Sequence, residues 1–106
     1  MTRRPSEWRY HSYMAAIGYH RARDPEQVIR ILEPYVWQAD TPTLVKNVVG
    51  FLMRRSGHFD EARRVYQNIL ATSSDPGYHD LARRVLRGLP EERKAYRRAP
   101  PGRRRR

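Results

Sequence analysis

Apolar residues recur every three or four positions through most of this chain, the period of one helical face. Trp8, Tyr13, Met14 and Ile17, with Tyr10 at the margin, predict a helix from about Ser6 to Arg21. Val28, Ile31, Leu32 and Tyr35 predict a second from Pro25 to about Tyr35, which Pro34 should end or kink near Glu33. Leu44, Val45, Val48, Val49, Leu52 and Met53 predict a third from Pro42 to Ser56, closed by Gly57. Ala62, Val65, Tyr66, Ile69 and Leu70 predict a fourth from Phe59 to Ala71. Leu81, Ala82, Val85 and Leu86 predict a fifth from Pro76 to Arg87, with Gly88 ending it. A short sixth, Pro90 to Arg98, has only Ala95, Tyr96 and Ala99 to bury.

The boundaries have a chemical basis. Pro5, Pro25, Pro42, Pro76 and Pro90 stand at or just before expected helix starts, where a missing N–H costs nothing. Asp24, Thr41 and Asp75 precede three of these prolines and are expected to cap the exposed amides. Asp24 and Gln27 also have capping-box spacing. The expected fold is all-α, one domain over residues 1–98. Residues 99–106, rich in Pro, Gly and Arg, have nothing to bury and are expected to be a basic disordered tail.

A chain of 106 residues supports one modest core. There is no cysteine, which excludes disulfides, thiolate metal sites and cysteine nucleophiles. No apolar run approaches the length of a membrane span, and the start has no apolar core of a secretory signal. Residues 1–23 are Arg-rich and faintly similar to a transit peptide, but they also supply a helix face, so a cytoplasmic location is expected. The net charge of +11 is uneven. Both ends are basic, and residues 24–40 are mildly acidic. That asymmetry points to an acidic partner: nucleic acid, an anionic membrane or an acidic protein surface.

The helical pattern also repeats. Shifted by 34 residues, Ala62, Val65, Tyr66 and Ile69 fall on Val28, Ile31, Leu32 and Tyr35. Val49, Gly50 and Met53 fall on Ala15, Ala16 and Tyr19. Two helices per period of about 34 residues is the mark of stacked helical hairpins. Val49-Gly50, Met53, Gly57, Phe59, Ala62 and Tyr66 resemble the Leu-Gly, Tyr, Gly, Tyr, Ala and aromatic positions of tetratricopeptide repeats. The resemblance is good over 42–76, moderate over 6–37 and partial over 76–98. Departures are a late closing proline at Pro76, Ala16 for Gly, and Val28 for the small Ala. It implies two to three antiparallel hairpins in a short α-solenoid. Pentatricopeptide repeats, which bind single-stranded RNA, are a second resemblance. Asn47 stands ten residues before Gly57, like their base-reading Asn. Two repeats would read too little RNA to be specific, and Gly50 fits the first family better.

No catalytic pattern emerges. His11, His20, His58 and His79 lack metal-ligand spacing, and there is no phosphate loop or nucleophile elbow. Asp60-Glu61 and Glu91-Glu92 suit helix N-termini. No enzyme, metal or cofactor is expected. His58 is expected in a hairpin turn and His79 on an exposed face. Tyr10 and Trp37 fit the inward stripes least and are candidates for a groove or an oligomer contact.

The expected function is a protein-interaction scaffold. By resemblance, the first helix of each hairpin lines a concave groove. This makes Arg9, Tyr13, Lys46, Asn47, Arg54, Arg83 and Arg84 contacts for an acidic peptide or protein. The alternative is an RNA- or nucleic-acid-associated protein whose Arg-rich ends, with Arg97, Arg98, Arg103, Arg104, Arg105 and Arg106, bind phosphates within a ribonucleoprotein assembly. Self-assembly through an exposed apolar end is a third expectation.

Overall fold

The computed structural model describes residues 24–98, which form four helices and no strand. These are α1 (Pro25–Val36), α2 (Thr43–Arg55), α3 (Phe59–Thr72) and α4 (Pro76–Arg98). The helix expected over 6–21, with Arg9, Tyr10 and Tyr13, lies outside the described residues. So does the tail with Arg103, Arg104, Arg105 and Arg106.

Local chemistry sets several ends as expected. Asp24 Oδ1 accepts from the Gln27 amide at 3.2 Å, capping α1. The Gln27 side chain does not reach back to complete the box; its Oε1 accepts from Arg30. Asp75 Oδ1 accepts from the Gly77 amide at 2.8 Å at the start of α4. Thr41 departs from its expected role. It is buried, and its hydroxyl donates to the Tyr35 carbonyl at 2.6 Å, tying the α1–α2 link to the end of α1. α2 therefore starts at Thr43, one residue later than expected, with Pro42 in the capping position and no side-chain cap. Gly57 turns the chain from α2 to α3 with φ +86°, which L side chains rarely adopt. The His58 amide then donates to the Met53 carbonyl at 2.8 Å, satisfying the end of α2.

Two prolines fail to break their helices. α1 continues through Pro34 to Val36, whose side chain is fully buried and extends the stripe Val28, Leu32, Val36. Pro34 and Arg30 are both exposed, so the carbonyl left without an amide partner faces solvent. α4 does not stop at Gly88 and restart at Pro90 but runs as one 23-residue helix. Pro90 and Gly88 lie on the exposed side. On the other side Leu89 is buried and Tyr96 packs edge-on against Phe59, with ring centres 5.6 Å apart. Packing beyond the proline outweighs its local penalty of about 3 kcal/mol.

Each helix packs on the next along the chain. One continuous core joins Val28 and Leu32 of α1, Val49 and Met53 of α2, Val65 and Ile69 of α3, and Ala82 and Leu89 of α4. α2 and α3 run in opposite directions: Lys46 reaches Asn68 and Thr72, while Gly50 meets Val65 and Tyr66. Gly50 makes this approach close, since a Cβ there would stand 2.6 Å from the Tyr66 ring.

Candidate functional site

Lys46 was expected to face a partner but is 1 % exposed. Its Nζ donates to Asn68 Oδ1 at 2.7 Å and Thr72 Oγ1 at 3.0 Å on α3. Burial pushes its pKa below the ordinary value, and the charge of Asp40 partly offsets this. Lys46 is thus a bridge between α2 and α3. The sequence hid this because a lysine on a helix is ordinarily solvated.

Asn47 and Arg54 are also engaged. Tyr66 is fully buried and donates its hydroxyl to Asn47 Oδ1 at 2.9 Å. Asn47, the base-reading position by the second resemblance, is engaged within the fold by this bond. Arg54 clasps Glu92 of α4 through Nε at 3.0 Å and Nη2 at 3.2 Å. Burial opposes the charged guanidinium, but the hydrogen bonds and charge of Glu92, aided by Tyr66, raise its pKa overall. Burial likewise pushes the Tyr66 phenol up. These residues tie α2, α3 and α4 together across a charged, half-buried seam.

The outward face of α2 is different. Leu44 and Phe51 are 44 % and 38 % exposed, with half-buried Val48 between them. The Arg55 guanidinium lies 5.5 Å from the Phe51 ring centre, a cation–π contact one turn along. Leu44, Val48, Phe51 and Arg55 follow i, i+4, i+7, i+11 spacing and share one stripe. The whole of α2 contains no acidic residue. The signal was present in the sequence. Leu44, Val45, Val48, Val49, Phe51, Leu52 and Met53 are too many apolar positions for one helix face.

A second feature is an open cleft of about 320 Å³ beside α1. Ile29 and Met53 give it an apolar floor, and Glu26, Glu33 and Glu61 line it with carboxylates beside Arg30 and His58. His58 Nε2 stands 3.0 Å from Glu26 Oε2. Trp37, exposed as its poor fit to the stripe suggested, donates its indole N–H to Glu33 at 2.7 Å. This cleft is not the basic groove the sequence led one to expect.

Arg83 and Arg84 lie on the exposed side of α4, joined by no hydrogen bond or ion pair to Lys46, Asn47 or Arg54. Arg97 and Arg98 lie exposed in the last turn of the same helix. His79, expected on the surface, is half-buried, and its Nε2 donates to the Ser73 carbonyl at 2.6 Å. That contact staples the α3–α4 link.

Among the described residues, no group of three or more His, Cys, Asp or Glu side chains could hold a metal ion. None of their helices is long and apolar enough to cross a membrane. No protein-family model matches the chain, and no curated protein or solved structure matches it significantly.

Proposed function

We propose that the chain is a non-catalytic scaffold of stacked, tetratricopeptide-like helical hairpins that docks an acidic protein segment on α2. The observation that carries this reading is the stripe Leu44, Val48, Phe51 and Arg55: apolar, exposed and flanked by positive charge without a carboxylate on its helix. Exposed aromatic and arginine side chains are the types that dominate binding energy at interfaces. An amphipathic segment with apolar side chains on Leu44 and Phe51, and a carboxylate on Arg55, fits that chemistry. Lys46 and Arg54 act from behind, holding α2 against α3 and α4 so that the stripe is presented on a rigid body.

The test is fluorescence anisotropy with a set of labelled acidic peptides carrying paired Leu or Phe residues at helical spacing. The expected result is binding by the wild type and a loss of at least about tenfold in L44E/F51E, equivalent to about 1.4 kcal/mol. Both positions are exposed, so the variant should melt like the wild type. If no peptide of the set binds, or the variant binds as well, the reading is wrong.

A further inference from the structure

The exposed side of α4 is the most one-sidedly charged surface among the described residues. Arg83, Arg84, Arg87, Lys94, Arg97 and Arg98 are all exposed there. Only Asp80 and Glu91 oppose them, and each is taken by its own neighbour, Arg83 at 3.5 Å and Lys94 at 3.7 Å. Arg84, Arg87, Arg97 and Arg98 have no ion-pair partner among the described residues. This is not a matter of composition. Residues 24–98 hold thirteen Lys and Arg against ten Asp and Glu, close to balance.

We propose that this face of α4 binds the phosphate backbone of a nucleic-acid duplex. Arg84, Arg87 and Arg98 fall at i, i+3 and i+14, on one side of the helix, and span about 21 Å at ~1.5 Å per residue. The passage of α4 through Gly88 and Pro90 without a break is what aligns them. A helix that stopped at Gly88 would let Arg84 and Arg98 point independently. Adjacent phosphates of a duplex strand lie about 3.4 Å apart along the axis, so the row covers roughly six of them. Arginine suits the target because its planar fork donates two bonds to one phosphate.

The other polyanions fit less well. The apolar side of α4, with Ala82, Val85 and Leu89, is buried in the core, so the helix has no face to insert into a bilayer. The basic side carries no aromatic ring on which unpaired bases would stack. What remains is charge along one continuous helix, which reads a regular backbone without sequence preference. The surface differs from the α2 stripe, so either can fail without the other.

The experiment is titration of a short mixed-sequence DNA duplex with the full chain across salt from about 50 to 200 mM. Wild-type affinity should fall steeply with salt. R84E/R87E should bind at least about tenfold more weakly at the lowest salt. Its log–log salt slope should be shallower by about two, since each lost phosphate contact removes ~0.9. R84Q/R87Q gives the same reading should the charge reversal disturb folding, which thermal melting checks. Three outcomes overturn the proposal: no duplex binding at about 50 mM salt; binding by both variants equal to wild type, with loss only when Arg103, Arg104, Arg105 and Arg106 are changed to Ala; or tighter binding of polyglutamate than of duplex, which would assign the face to an acidic protein.

Discussion

Gly50 of α2 lies against the ring of Tyr66 on α3 so closely that a Cβ would fall 2.6 Å from Cε2 and 3.0 Å from Cζ. The Tyr66 ring is fully buried and its hydroxyl is held by Asn47, so it has little room to withdraw. G50A should therefore destabilise the protein. Alanine improves helix propensity by about 1 kcal/mol, while forcing a fixed ring aside costs about 1–3 kcal/mol. The expected net loss, taking the middle of that range, is about 1 kcal/mol by urea unfolding. An unchanged or raised midpoint would show that the α2–α3 approach has slack.

The clasp between Arg54 and Glu92 anchors the C-terminal half of α4, beyond Pro90. E92Q keeps one oxygen and removes the charge. With side chains 23 % and 37 % exposed, solvent screens the pair, and the cost should be about 0.5–1 kcal/mol. The more telling readout is local. Amide exchange over residues 91–98 should quicken in E92Q while α3 stays protected. Equal exchange in both proteins would mean that Leu89 and Tyr96 suffice to hold the helix.

Tyr96 covers the turn at Gly57 and meets Phe59 edge-on with an interplanar angle of 78°. Y96A should cost about 2–4 kcal/mol and fray the end of α4. G57A should also destabilise, by about 1–2 kcal/mol, because its φ of +86° disfavours a Cβ and the Tyr96 ring fills the space. In the Y96A background the steric part of that penalty disappears. G57A should then cost less than in the wild type, a coupling that a double-mutant cycle measures. Full additivity would remove Tyr96 from the account.

Lys46 makes stability depend on pH in the alkaline range. Its folded pKa lies below the ordinary 10.5, so the unfolded chain binds the proton more tightly. As pH rises through the folded value towards 10.5, this group's contribution to stability increases. K46M lacks it. The stability of the wild type minus that of K46M should therefore rise over that window. Tyr66 works the other way: its pKa is raised above 10.0, so its stabilisation is complete below 10.0 and lost as pH climbs through the folded value. Y66F should be less sensitive than the wild type there. Parallel pH curves for wild type and K46M would show that Lys46 is solvated.

Much of the local structure could be read from residue order alone. The stripes Val28–Leu32 and Val65–Ile69, the starts at Pro25, Phe59 and Pro76, and the turn at Gly57 each depend on neighbours within one or two helical turns. A period, a cap or a positive φ is a short-range property, so sequence suffices for it. The close seat of Tyr66 on Gly50 was foreshadowed too, because a small residue among bulky ones marks an approach. What only the tertiary structure decided are the events across 22 to 38 residues: Lys46 buried against Asn68, Arg54 clasped to Glu92. The same holds for α4 passing Pro90, where Leu89 and Tyr96 overrule a local breaker. Charge on a lysine or arginine does not say whether it meets solvent, a partner or another helix. That depends on which surfaces are left over once the core has closed.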